Sequence, residues 1–388
     1  VQVILIIGAA QALFFCLLLI GKKKGKLHDK ILAAWLGVLA LHLAFAYWLF
    51  LLQPTYLAYV GSDAGIIVLY YSLMYVYAKS VISGHERLEW RWFIHLLPCL
   101  LVYATSFPFI RLNELEKANT LSRGLSPLIL VSLLIATACS IGYLIVVFRL
   151  ISKHDLYIKR TYSFDDTINL IWLKKLAIVL TGISLFFLIA VVYVYFLRFT
   201  SLETSIQLYS NLDFIGYALF TLFIYLLGYF GYRQGNIFTH RAHQTDAIVR
   251  KSMSKTTSKI SMIKEDGEKN ENQDRKFVEL LDEYMQREQP YLNSTLSLYQ
   301  LAKLMGVSSH YLSHILNNRV RKNFYEFVNH YRIDEVKRRI ASDQSSKYTI
   351  LAIALDCGFN SKATFNRTFK NYTGYTPSQF QQEFIRPE

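Results

Sequence analysis

Seven apolar runs, each long enough to cross a hydrocarbon layer of about 30 Å at roughly 20 helical residues per crossing, occupy the first three-fifths of this chain. They fall near 2–20, 31–52, 60–82, 92–110, 126–148, 176–197 and 209–232, and nothing comparable follows Tyr232. The third is the least uniform, because Gly61, Ser62, Asp63 and Gly65 stand at its start. The first run precedes its basic cluster, the reverse of the order in a secretory signal peptide, so it is expected to be retained as a span. In a bilayer every backbone N–H and C=O must be satisfied within the segment, which makes each run a helix.

The loops set a direction. Lys22, Lys23, Lys24, Lys26 and Lys30 follow the first run, Arg87 and Arg91 the third, and Arg149, Lys153, Lys159, Arg160, Lys174 and Lys175 the fifth. The opposite set of loops carries only Arg111, Lys117, Arg123 and Arg198. By the positive-inside rule the N-terminus lies outside and the C-terminal half in the cytoplasm. The expected location is the bacterial inner (cytoplasmic) membrane, with the lipid bilayer as the first partner.

Composition agrees with two halves of different character. Charged residues make up 18% of the chain and hydrophobic ones 53%, with a mean hydropathy of +0.25. Soluble domains carry about 25% charge. The net charge of +14 suits nucleic acid, an anionic membrane surface, or both. Cys16, Cys99, Cys139 and Cys357 are scattered singly, so neither a disulfide framework nor a zinc site is expected. No HExxH, GxSxG or Walker motif occurs. No catalytic residue, metal or cofactor is expected.

The domains predicted from these patterns are a seven-helix transmembrane domain at 1–235, a flexible linker at 236–273 and a soluble all-α domain at 274–388. The linker is polar and charge-mixed, too poor in apolar surface to offset ordering entropy, with an r.m.s. reach of roughly 30–35 Å.

From Asp274 the pattern is helical. Phe277, Leu280, Leu281 and Tyr284 recur on one face, and Pro290-Tyr291 ends the helix. Ser297 to Gln300 has the form of a capping box, opening a helix with Leu298, Leu301 and Leu304 inward. Met305-Gly306-Val307 turns the chain, and Ser308 caps a second helix, 309–317, with Leu312, Ile315 and Leu316 inward. The plan repeats further on. Thr349 caps a helix containing Ile350, Ile353 and Ala354, Cys357-Gly358-Phe359 turns, and Asn360 or Ser361 caps a helix to about Lys370. In that helix Phe365 and Phe369 point inward, and Lys362, Thr364, Asn366, Arg367 and Lys370 outward. A longer helix, about 324–341, joins the two units, and Thr376-Pro377 opens a last one over Phe380 and Phe384.

The runs LSLYQLAKLMGVSSHYLSHILNN, NFYEFVNHYRIDEVKRRI and ILAIALDCGFNSKATFNRTFKNYTGYTPSQF together resemble the C-terminal DNA-binding domain of the AraC/XylS transcription regulators, over about residues 290–385. The resemblance implies two helix-turn-helix units on a rigid linking helix, each placing its second helix in the major groove, about 34 Å apart. Carried over by position, it implies base contacts from His310, Ser313 and His314 in the first unit and from Lys362, Ala363 and Arg367 in the second. Arg367 is the leading candidate, since Arg bidentate to guanine is the commonest specific contact.

Ser309, Asn317, Asn366 and Lys370 are candidates for phosphate contacts, and Arg319, Arg321, Lys322, Arg332, Lys337, Arg338 and Arg339 form a basic cluster around the linking helix, some to meet phosphate and others simply solvated. The bland alternative for every outward polar residue is an ordinary solvated helix face. Ala363 offers only apolar contact, and His310 and His314 stand where larger or more basic side chains are frequent in the family. The first unit is therefore expected to read DNA weakly or through water.

Ionisable groups within spans are functional candidates by default. Asp63 and Asp213 fall near the outer ends of their runs, and His42 and His95 lie within theirs. Helical spacing puts Asp63 with Tyr70, and Asp213 with Tyr217, which outlines an outward-open ligand pocket between helices. The alternative is interfacial carboxylates and packed aromatics.

Three functions fit these observations. One is a one-component receptor–regulator that takes a small-molecule or membrane-protein signal among its helices. The others are a DNA-binding module on a passive anchor, and a transporter or membrane enzyme with an appended regulatory domain. Double-stranded DNA is the partner common to all. RNA polymerase is the natural protein partner of a regulator, and a homodimer is compatible with the class although no heptad seam in the linker supports it.

Overall fold

In the computed structural model all regular elements among the described residues are helices; the one β-type pairing is an isolated antiparallel bridge. The described residues are 1–23, 25–52, 64–83, 89–113, 116, 117, 119, 120, 127–165, 169–197, 202–237, 271–342 and 348–384, less the side chains of 49, 50, 52, 64, 190–197, 202–211, 213 and 235–237. The expected linker therefore lies almost wholly outside them, as do Asp63 and the side chain of Asp213. Packing divides the chain into two compact units, 1–152 with 170–239, and 153–169 with 240–388.

The first unit contains α1 (Gln2–Ile20), α2 (Leu27–Leu52), α3 (Ala64–Ser83), a 3₁₀ turn at Trp90–Leu96 leading into α4 (Leu97–Ile110), most of α5 (Pro127–Thr161), α6 (Ile171–Leu197) and α7 (Leu202–Ile237). Seven helical segments are long and apolar enough to cross a membrane, matching the seven runs read from the sequence. α1 packs on α2 and α7, α3 on α4, and α6 on α7. The close approach of α1 depends on Gly8, where a Cβ would stand 2.7 Å from Leu43 Cδ1 and 2.8 Å from Thr221 Oγ1. Small residues let helix backbones approach in this way.

The outward faces of these helices are apolar: Leu13, Phe14, Leu17 and Ile20 on α1, and Leu134 and Ile141 on α5, are exposed. The polar groups turn inward. His42 Nδ1 lies 2.6 Å from the Tyr70 hydroxyl, His95 Nδ1 lies 3.0 Å from the Tyr143 hydroxyl, and Lys22 reaches Asp29 at 2.8 Å.

α5 departs from expectation. It was expected to end near 148 and instead continues to Thr161. Val147, Ile151, Ile158 and Tyr162 are all buried at spacings of four, seven and four, a helical stripe hidden among charged residues. A Lys159–Asp155 pair of 2.8 Å one turn apart supports the exposed face.

The second unit holds α8 (Glu271–Glu288), α9 (Leu298–Leu304), α10 (Ser309–Ile315), α11 (Phe324–Ala341), α12 (Ile350–Asp356), α13 (Lys362–Thr373) and α14 (Pro377–Phe384). It has two apolar cores on one spine. Phe324, Phe327 and Val328 from the first half of α11 join Leu281, Met285, Leu301, Leu312 and Leu316. Ile333, Val336 and Ile340 from its second half join Ile353, Cys357, Phe365 and Phe369. Because one helix supplies both cores, the two flanking helix pairs are fixed to a common rod.

Two inward expectations fail. Leu280 and Leu304 are each more than half exposed. On α8 the buried line runs through Leu281 and Met285, which turns Leu280 outward by about 100°.

Candidate DNA-binding interface

Each helix pair is built from a cap, a glycine turn and a second cap. In the first, Ser297 Oγ accepts from Gln300 N at 3.3 Å and the Gln300 side chain accepts from Ser297 N at 2.9 Å, a reciprocal box that starts α9. Gly306 turns the chain at φ +71°, and Ser308 Oγ accepts from Tyr311 N at 3.1 Å to start α10. In the second, Thr349 Oγ1 accepts from Ala352 N at 3.1 Å, Gly358 turns at φ +92°, and Ser361 Oγ accepts from Thr364 N at 3.2 Å to start α13. Gly358 is doubly constrained: a Cβ there would stand 2.6 Å from Tyr291 O and 2.9 Å from Leu292 O.

The caps place the outward side chains. His310 and His314 are exposed on α10 and Ser313 is half-buried beside them. Ser309 is half-buried as well. Asn317 is exposed but folds back, donating to Ser313 O at 2.7 Å and to its hydroxyl at 3.2 Å, just where α10 widens into a π turn over Leu316–Val320. On α13, Lys362, Ala363, Asn366 and Lys370 are exposed.

Arg367 is exposed on one side and held on the other. Its Nη2 donates to Asp165 Oδ2 at 2.6 Å and reaches the Tyr325 hydroxyl at 3.5 Å. Burial opposes the Arg367 charge, but the Tyr325 and Asp165 oxygens outweigh it and hold the group above its ordinary pKa. Thr364, expected outward, is buried, with Oγ1 3.4 Å from Asp165 Oδ1.

The basic cluster around the linking helix separates into different roles. Arg332 is neither solvated nor open to phosphate; it is 1% exposed. Its Nε donates to Tyr291 O at 2.7 Å, and its Nη atoms donate to Asn293 O at 2.8 Å, Ser163 O at 3.0 Å and Ser163 Oγ at 3.0 Å. Burial pulls its guanidinium down to about 9, so it remains charged at neutral pH. Arg319 is tied to Asp274 at 2.8 Å and Glu271 at 3.2 Å on α8. Arg338 and Arg339 share Glu335, and Lys337 pairs with Asp334 at 3.3 Å.

Sequence reasoning missed Ser163 and Asp165 altogether. The available signal was an acidic pair, Asp165-Asp166, in a strongly basic loop.

In the first unit, Tyr70 is buried against His42 and Phe220, and Tyr217 packs edge-on to Phe187. Among the described residues no group of three or more His, Cys, Asp or Glu side chains is arranged to hold a metal ion.

Two cap–turn–cap helix pairs on one spine define a paired helix-turn-helix protein. Comparison with known proteins agrees: residues 301–383 match the family described as a helix-turn-helix domain. The chain is 30% identical over 96 residues to the probable transcription factor PqrA of Proteus vulgaris, covering 25% of this chain and 76% of that protein. It is 35% identical over 91 residues to an uncharacterized HTH-type transcriptional regulator of Staphylococcus aureus strain COL. An equivalent relative in strain N315 matches to the same extent. The chain covers 24% of its own length in those matches and spans about 12% of the length of the staphylococcal proteins. No solved structure matches the chain. Through its C-terminal region the chain belongs to the AraC-type helix-turn-helix transcription regulators.

Proposed function

We propose that this chain is a membrane-bound, sequence-specific transcription regulator of the one-component kind, in which signal reception among the membrane helices controls DNA binding by the C-terminal region. The observation that carries the proposal is the presence, on one chain, of seven apolar helices of spanning length and a paired helix-turn-helix unit. Exposed Leu, Ile and Phe on the outer faces of α1 and α5 favour a lipid surround, because soluble proteins rarely leave contiguous apolar faces to water. The Lys/Arg bias puts the DNA-binding region on the cytoplasmic side of the inner membrane.

The division follows as 1–235 for the membrane domain, 236–273 for the linker and 274–388 for the DNA-binding domain. In the second helix-turn-helix unit Lys362, Ala363 and Arg367 read bases; in the first, His310, Ser313 and His314 do so more weakly. Ser309, Asn317, Asn366 and Lys370 meet phosphates. DNA supplies the macromolecular partner, RNA polymerase the protein one, and a second copy of the chain occupies a neighbouring half-site. Asp63, Tyr70, Asp213 and Tyr217 outline the ligand pocket, with the His42–Tyr70 contact as its inner wall.

The test is to exchange the seven spans for an unrelated membrane anchor and follow transcript levels genome-wide. A regulon that loses its response to growth conditions supports reception by the native helices. A regulon that responds as before reduces the spans to a passive anchor. A transporter with an appended regulator would retain uptake after deletion of 274–388.

A further inference from the structure

The segment Tyr162-Ser163-Phe164-Asp165 belongs to the second compact unit, and its partners there, from Leu296 to Arg367, follow it by more than a hundred positions in sequence. Tyr162 forms the isolated antiparallel bridge with Ser297. Every polar atom of Ser163 is used. Its N–H donates to Leu296 O at 3.1 Å, its hydroxyl donates to Leu296 O at 2.8 Å, and its carbonyl accepts from Asn329 Nδ2 at 3.2 Å and Arg332 Nη1 at 3.0 Å. The hydroxyl also accepts from Arg332 Nη2. Ser163, Asn329 and Arg332 are each 1% exposed or less.

A fully buried guanidinium without a carboxylate beside it depends on neutral acceptors, and Ser163 supplies two of them. Removing the segment would leave buried donors on Arg332 and Asn329 unfilled, which is costly. The unit therefore contains a seat shaped and polarised for a peptide group.

The seated segment delivers a carboxylate to the second recognition helix. Asp165 is 2% exposed, bonded to Thr364 and Arg367 one turn apart on α13. A carboxylate presents Arg with the paired acceptors that guanine O6 and N7 present. Either bidentate face of the guanidinium needs an Nη2 hydrogen, and both are engaged, one by Asp165 Oδ2 at 2.6 Å and one by the Tyr325 hydroxyl at 3.5 Å, so a guanine must displace one of them.

We infer that residues 162–165 are a built-in competitor for DNA: seated, they hold Arg367 on Asp165 and close the second helix-turn-helix unit; released, they free it to read a base. The inference rests on Arg367 being a base contact. The segment follows α5 directly in the chain. On the first unit's recognition helix an acid meets Tyr311 instead, whose hydroxyl donates to Asp274 Oδ1 at 3.3 Å, and His310 and His314 stay exposed, so closure falls on the unit with the stronger base-reading side chain.

The experiment uses the full chain in lipid nanodiscs. The Asp165→Ala variant is first used to recover a duplex from a random DNA pool. Affinity for that duplex is then measured for wild type, Asp165→Ala, Asp165→Glu, Arg367→Ala and the Asp165→Ala/Arg367→Ala double variant, with hydrogen exchange over α13 followed in each. The expected result is about tenfold tighter binding by Asp165→Ala than by wild type, within the usual range of coupling. Asp165→Glu should bind like wild type, and the gain should be lost in the double variant.

If the alanine variant loses α13 protection, Asp165→Asn becomes the readout. It keeps size and hydrogen bonding without charge, and the same gain is expected. Equal or weaker binding with α13 protection intact overturns the competitor while leaving DNA recognition standing. Failure of the open variant to recover any duplex overturns both.

Discussion

The two helix-turn-helix units share a plan and differ in how their recognition helices are engaged. In the first, His310 and His314 face solvent and Asn317 turns onto its own helix. In the second, Arg367 and Thr364 are gripped by Asp165. The glycine turns differ in the same sense. Gly306 has open space around it, whereas Gly358 lies against the backbone carbonyls of Tyr291 and Leu292. Similar local sequence thus yields one turn with open space around it and one embedded in its surroundings, and the second helices of the two units meet different acids, α10 meeting Asp274 through Tyr311 and α13 meeting Asp165 through Thr364 and Arg367.

The comparison breaks most readily at the cores. Phe369→Ala empties a fully buried ring site of the second core and should cost about 3–5 kcal/mol, read as lost hydrogen-exchange protection in α12 and α13. Leu312→Ala should cost about 2–5 kcal/mol in α9 and α10. If both variants unfold both units together, the shared spine α11 couples them; separate losses mean it does not.

At the turns, Gly358→Ala combines left-handed strain of about 1–2 kcal/mol with collision against two carbonyls, and should destabilise visibly more than Gly306→Ala, which meets the strain alone. Equal effects would contradict the embedded second turn. Cap removal should be more even: Ser308→Ala and Ser361→Ala should each cost about 1 kcal/mol, as local fraying of α10 and α13.

The smallest effect concerns pH. Burial works to raise the Glu335 pKa, but hydrogen bonds from Arg338 and Arg339 prevail and hold it below its ordinary 4.5. A carboxylate depressed in the fold stabilises at pH above its unfolded value and loses that contribution as pH falls through the folded one. Glu335→Gln should therefore lower stability at neutral pH and converge with wild type under acid, measured by urea unfolding across pH.

Much of this was legible in the residues. The seven apolar runs announced themselves by length, and Ser297, Ser308, Thr349, Ser361 and the turn glycines by their spacing, because caps and turns are local chemistry. Leu280 and Leu304 were misjudged because a stripe one residue wide can be drawn through either of two neighbours when the packing partner is unknown. The helical stripe Val147–Ile151–Ile158–Tyr162 was hidden by the charges around it. Arg332 looked like one more member of a basic cluster, since nothing in local sequence tells a buried cation from a solvated one. Asp165 was invisible for the plainest reason. Its partner stands 202 positions later, and periodicity carries no information over that distance.

The most direct test of the account is a genome-wide occupancy map of the intact protein beside Arg367→Ala, in cells where both remain in the membrane fraction at equal level. The account predicts discrete sites for the intact protein that are lost or strongly weakened in the variant. Identical maps from the two proteins would contradict it, because the second unit would then not read DNA through the side chain that the fold presents and Asp165 restrains.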